Sequence, residues 1–110
     1  MTSRDRTTLK DILRTIERIE RFPITNQQTF AQTEHLQDAV IRCLQVIGEA
    51  TKRLSKDLRA QNAEIPWREM AGMRDVLVHA YDQVDLEEVW ITLQEQLPPL
   101  KAQIEALLAE

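Results

Sequence analysis

Glycine is scarce in this chain: two in 110 residues, Gly48 and Gly72. Few positions can therefore take the backbone that tight hairpin turns need, and no alternating strand pattern appears. The one cysteine, Cys43, excludes an internal disulfide; set in an apolar run, it reads as a small core residue. There is no zinc pattern, no glycine-rich phosphate loop and no Cys–His nucleophile pair. No apolar run approaches the roughly 20 residues of a membrane span. The opening MTSRDRTTLKD is too polar for a secretory signal, so the expectation is a cytoplasmic protein with no membrane contact. Positive charge is also short. The formal charge is −4, so any surface for nucleic acid must be a local basic patch. What remains is 43% hydrophobic and 29% charged, which excludes whole-chain disorder and predicts one domain over residues 1–110 with its own core.

The apolar spacing is helical throughout. Leu9, Ile12, Leu13, Ile16 and Ile19 recur at three and four, with Ser3 or Asp5 as cap and Pro23 as stop. Thr25-Asn26 restarts the chain. From about Gln27 to Leu58 the sequence reads as a helix with a wide apolar stripe, packed on two sides, with a turn or kink near Phe30 to Thr33. Gly48 within it marks either close approach by a neighbouring helix or a tolerated weak spot. Lys52, Lys56 and Arg59 fall at i, i+4 and i+7 near its end. They form either a solvated basic face that complements the helix dipole or a phosphate-binding stripe. Asn62 is a C-terminal cap, and Pro66 suits the first turn of the next helix. Asp85 and Glu88 resemble a capping box for a helix through Trp90 and Leu93; Pro98-Pro99 is expected to break it, leaving a short last helix. The prediction is an all-α bundle of four to five helices.

The polar chemistry gathers between Glu64 and Asp85, where Arg74, Asp75, His79 and Tyr81 fall within eight residues, interleaved with Val76, Leu77 and Val78. A histidine titrating near 6.5 can act as base or acid at neutral pH. An arginine offers planar donors to phosphate and stays charged. RNA cleavage without a metal needs these groups: a base for the 2′-hydroxyl, an acid for the 5′-leaving oxygen and a cation for the phosphorane. Asp75 could orient either partner, and Tyr81 could donate to phosphate. One histidine and scattered carboxylates make no metal ligand set, and no cofactor is expected. Residues five apart on an ideal helix differ by roughly 140°, so Arg74 and His79 do not converge on one straight helix, whereas two copies across a two-fold axis would gather both pairs. On spacing alone the structural reading stays open: His79 half-buried and satisfied, Arg74 and Asp75 paired with surface charges.

The stretch resembles the HEPN superfamily, and in particular the HepT-like toxins, the former DUF86 family, whose motif is Arg-x4-His-x-Tyr. Here that is Arg74 to Tyr81. The flanks resemble the family too: Asp38-Ala39-Val40 with Val46-Ile47-Gly48-Glu49-Ala50 as its central helix, Ile65-Pro66-Trp67 and Gly72-Met73-Arg74 as the approach, and Val84-Asp85, Trp90 and Leu97-Pro98 with Leu100 as its C-terminal part. The resemblance implies a homodimeric helical bundle and a metal-independent ribonuclease toxin of a type VII-like toxin–antitoxin pair. Arg74 and His79 would be catalytic and Asp75 the motif's polar residue, with RNA-binding candidates at Lys52, Lys56 and Arg59. The implied partner is an MNT-type nucleotidyltransferase antitoxin that transfers AMP to Tyr81, with the two forming a higher hetero-oligomer. The competing expectation is a non-catalytic helical dimer that binds a nucleotidyltransferase or a nucleotide.

Overall fold

The computed structural model describes the backbone of residues 1–79 and 85–110 and the side chains of 1–73 and 85–110. Helices α1 (Ser3–Glu20), α2 (Gln27–Gln32), α3 (Glu34–Lys52), α4 (Lys56–Gln61) and α5 (Trp67–His79) come first. After them α6 (Leu86–Ile91), a π-helical turn (Thr92–Gln96) and α7 (Leu97–Ala109) follow without interruption. No strand occurs among the described residues, so the all-α expectation holds. Four long helical runs and two short helices, α2 and α4, make up the described part. None of the described helices is long and apolar enough to cross a membrane.

Helix α3 is the central element, packed against both α1 and α5, while α7 lies along α1. The α1 stripe is buried as its spacing requires: Leu9, Ile12 and Ile16 are at most 1% exposed. They meet Val40, Leu44 and Ile47 of α3 and Leu100 and Ile104 of α7 in one core. Phe30 of α2 closes one end against Trp90 of α6, their ring centroids 5.8 Å apart.

Three local expectations are corrected. The cap of α1 is Thr2, whose Oγ1 accepts from the Asp5 N–H at 3.0 Å, rather than Ser3 or Asp5. Asp5 is instead buried and reaches across to Ser55, accepting from its N–H at 2.9 Å and its hydroxyl at 2.6 Å. The second correction stems from that contact. The run from Gln27 to Leu58 is three helices, because Ser55 leaves the α3 ladder to bond Asp5 and to cap α4, its Oγ accepting from Leu58 N–H at 3.2 Å. The expected break near Thr33 is present, between α2 and α3.

The third correction is at the proline pair. Pro98-Pro99 does not break the chain's last helical run; the prolines sit in the first turn of α7. There their missing N–H groups leave two carbonyls without α-helical donors, and the preceding turn widens to a π register, Leu97 N–H donating to Thr92 O. Elsewhere the expected cap at Asp85 is found, and the Thr25-Asn26 restart turns out to supply one as well. Asn26 caps α2 by accepting from Thr29 N–H at 2.8 Å, and Asp85 caps α6 by accepting from Glu87 and Glu88 N–H at 3.0 and 3.3 Å. Pro66, expected in the first turn of α5, instead stands just before it, its carbonyl taking the Met70 N–H at 3.0 Å.

Candidate functional site

Helix α5 carries Arg74, Asp75 and His79, and its N-terminal end is firmly held. Asn62 ends α4 with its side-chain amide donating to Leu58 O at 3.0 Å, and its own carbonyl accepts the Trp67 indole N–H at 2.9 Å. Trp67 and Met70 are 7% and 1% exposed, while Met73 packs against the core from its edge. One face of the helix's first half is thus anchored on α3 and the α4 end.

That anchoring sets the register of the helix's second half. Position 74 lies seven residues after Trp67, within about 20° of it around the axis, so it continues the core-facing stripe. Position 79 lies nine residues after Met70, about 180° from it. The helix is continuous through His79. The backbone therefore keeps positions 74 and 79 about 140° apart and about 7.5 Å apart along the axis. Asp75 and position 79, four apart, share a face. Tyr81 lies outside the described residues.

The basic stripe expected at Lys52, Lys56 and Arg59 is not one helical face. Lys52 ends α3, Lys56 begins α4, and the Arg53–Ser55 turn separates them. Lys52 and Lys56 are exposed; Arg59 is half-buried, its Nε donating to Ser55 O at 3.5 Å. Among the described residues no three His, Cys, Asp or Glu side chains are grouped to hold a metal.

Two features near the site had no sequence expectation. An open, mainly apolar groove of about 340 Å³ runs along α5 between Met70, Met73 and Pro66 on one side and Pro99 and Leu100 on the other, with Glu69 and Glu95 beside them. The π-helical turn forms part of this groove, and the tandem prolines are the signal that could have announced it. Titration is perturbed at a distance from α5. Burial pushes the Cys43 thiol up, and Arg18 and Arg42 pull against it only in part. Burial also pushes the Asp5 carboxyl up, but hydrogen bonds from Ser55 and Thr2 and the nearby N-terminal ammonium outweigh it and hold the group below its usual value.

The chain matches the model of the family described as "Ribonuclease HepT-like" over residues 12–107. It is 46% identical over 102 residues to "Probable ribonuclease HepT" of Thermococcus cleftensis, covering 90% of this chain and 91% of that protein. It is 39% identical over 103 residues to "Putative RNase MJ1216" of Methanocaldococcus jannaschii, covering 93% and 85%. A third relative, "Putative RNase TTE0752" of Caldanaerobacter subterraneus, is 38% identical over 90 residues, covering 82% and 80%. No solved structure matches. The matched span holds α3, α5 and the whole Arg-x4-His-x-Tyr motif, and the chain belongs to the ribonuclease HepT-like family.

Proposed function

We propose that the protein is a metal-independent ribonuclease toxin that works as a homodimer and is silenced by AMP transfer to Tyr81. The observation that carries this reading is the placement of Arg74 and His79 on a helix anchored by Trp67 and Met70, with Arg74, His79 and Tyr81 all inside the family-matched span of the sequence. The relatives carry ribonuclease names, which supports RNA as substrate.

His79 takes the proton from the 2′-hydroxyl as that oxygen attacks the adjacent phosphorus. The 5′-oxygen leaves with a proton from an acid, and the Arg74 guanidinium neutralises charge on the phosphorane between the two events. One histidine cannot be base and acid in the same step. A second copy across a two-fold axis supplies the other, and the wide angle between positions 74 and 79 on one helix favours that arrangement. Asp75, four residues before His79 and on its face, orients the imidazole. An MNT-type nucleotidyltransferase antitoxin adds AMP at Tyr81, bringing bulk and negative charge to the cleft and excluding RNA.

The test is purified protein with total RNA in EDTA, wild type beside His79→Ala. Cleavage by the wild type alone is expected. Loss of wild-type cleavage in EDTA that magnesium restores would overturn the metal-free mechanism. For the regulation, Tyr81→Phe should keep most cleavage yet stay active after incubation with the partner enzyme and ATP. An unchanged mass for the wild type after that incubation would remove AMP transfer.

A further inference from the structure

The charge is unevenly spread. Residues 1–21 hold six cations and four carboxylates, and the remaining 89 residues hold eight and fourteen, so a chain of net charge −4 begins with a segment at +2. On α1 the core takes the face of Leu9, Ile12, Ile16 and Ile19. The opposite face presents Lys10, Arg14, Arg18 and Arg21, all exposed, with the Arg14 side chain 73% open to solvent. Consecutive cations at spacings of four, four and three stand about 4.5–6 Å apart along the axis, a ladder about 16 Å long.

Two of the four carboxylates of α1 are drawn off this face. Asp5 is buried against Ser55. Glu20 accepts from Lys101 of α7 at 2.8 Å. Asp11, 3.4 Å from Arg14, and Glu17, three residues after Arg14 and four before Arg21, stay beside the ladder. Lys10, Arg18 and Arg21 have no carboxylate partner among the described residues. Arg42 of α3 is exposed as well, and it and Arg18 are both near enough to the Cys43 thiol to pull its pKa down.

The topology brings this surface to the motif's end of the bundle. The Asp5–Ser55 contact ties the start of α1 to the end of α3, so α1 and α3 run antiparallel. Helix α5 starts after the short α4, which follows the end of α3, and it packs back along α3. The second half of α1, the first half of α3 and the second half of α5 therefore share one end.

We propose that the outer face of α1, continued by Arg42, binds the phosphate backbone of single-stranded RNA and carries substrate strands toward the α5 end. This rests on the ribonuclease reading for the identity of the polyanion. The complementarity is electrostatic and independent of base sequence, since the ladder offers cations and no aromatic side chain for stacking.

The test uses a fluorescent 2′-O-methyl oligoribonucleotide long enough to span the ladder, which keeps the phosphates and cannot be cut through a 2′-hydroxyl. Binding is followed by anisotropy across a salt series for wild type, Arg14→Glu/Arg18→Glu, and the charge-matched control Arg53→Glu/Arg68→Glu, two exposed cations after the end of α3 and at the start of α5. The α1 pair should weaken binding about tenfold or more and flatten the salt slope by about 1.4, two contacts at about 0.7 each, while the control stays near wild type. Long RNA should be cut with a raised KM and a dinucleotide with an unchanged one. Equal losses in both variants, a loss in the control alone, or no binding by the wild type would overturn the proposal. Unchanged RNA affinity in the α1 pair would also overturn it and leave an acidic protein surface as the occupant of that face. A wild type that binds the oligomer through α1 but cuts no RNA would defeat the ribonuclease reading and not this one.

Discussion

Helices α1 and α5 both pack on α3, but they use their sequence in opposite ways. In α1 the inner stripe from Leu9 to Ile19 is apolar throughout, with Leu9, Ile12, Ile16 and Ile19 buried and Leu13 packed at its edge. In α5 the stripe begins the same way, with Trp67 and Met70, and then the register that would take another aliphatic residue holds Arg74. A helix selected for packing alone would continue the pattern. Sequences that break a local rule do so most often where function requires it. One helix holds the fold, and the other is held by it.

The largest effect that would sharpen this contrast is on activity. His79→Ala should lower RNA cleavage by about 10²–10⁴, as expected for loss of a general acid–base. Arg74→Ala should lower it by about 10²–10³, as for loss of a transition-state donor. Both should unfold in urea close to the wild-type midpoint. Undiminished cleavage by both variants would mean that α5 is another packing helix and that the motif is incidental.

The counterpart on α1 is Ile16→Ala. Ile16 is 1% exposed and sits among residues of α1, α3 and α7. Truncation should cost about 2–5 kcal/mol in urea unfolding, with the denaturant dependence unchanged. Cleavage by the fraction that remains folded should match wild type. A loss below about 1 kcal/mol would show a core that collapses around the gap, and α1 would no longer be the fold's holding helix.

The two helices also differ in how far the sequence announced them. The α1 stripe, the restart at Asn26, the Asn62 and Asp85 caps and the break at Thr33 were legible because each depends on neighbours within four residues. The split after Lys52 was not legible, because Ser55 leaves the helix to meet Asp5, fifty residues away. The π-helical turn was missed for a related reason: a proline pair forbids two α-helical bonds, but only the packing of Leu93, Leu97 and Leu100 decides whether the chain stops or widens. The motif was legible as chemistry and as a family resemblance. The cationic face of α1 was hidden by an acidic total, and it appears only when the carboxylates' partners are known.

Asp5 tests that long-range tie. Its depressed carboxyl pKa means the charged form is favoured by folding. Its contribution is therefore fully present above the unfolded value near 3.9 and fades as pH falls through the lower folded value. Asp5→Asn should cost about 1.5–3 kcal/mol at neutral pH, the range for hydrogen bonds to a charged group. The two stability curves should converge in acid, below about pH 4. A gap that persists unchanged at low pH would assign the effect to shape rather than charge.

The smallest effect has the opposite sign and bears on α5 alone. Gly72 lies inside the helix, and a Cβ built there meets no atom within 4 Å. Glycine in a helix interior is less favourable than alanine by about 0.5–1 kcal/mol, mostly through the freedom it keeps in the unfolded chain. Gly72→Ala should therefore stabilise the isolated chain by about that much in urea unfolding. Stability and activity then become separable readouts. A protein that gains stability and keeps cleaving RNA shows that this face of α5 is open in use as well as in the single chain. A protein that gains stability but loses cleavage shows that something approaches the backbone at Gly72 when the enzyme works, a second copy or the RNA strand. Sedimentation distinguishes the two, since only the first would shift the monomer–dimer balance. A loss of stability would mean that α5 is strained at this turn, and the view of it as a helix held passively by its anchored first half would fail.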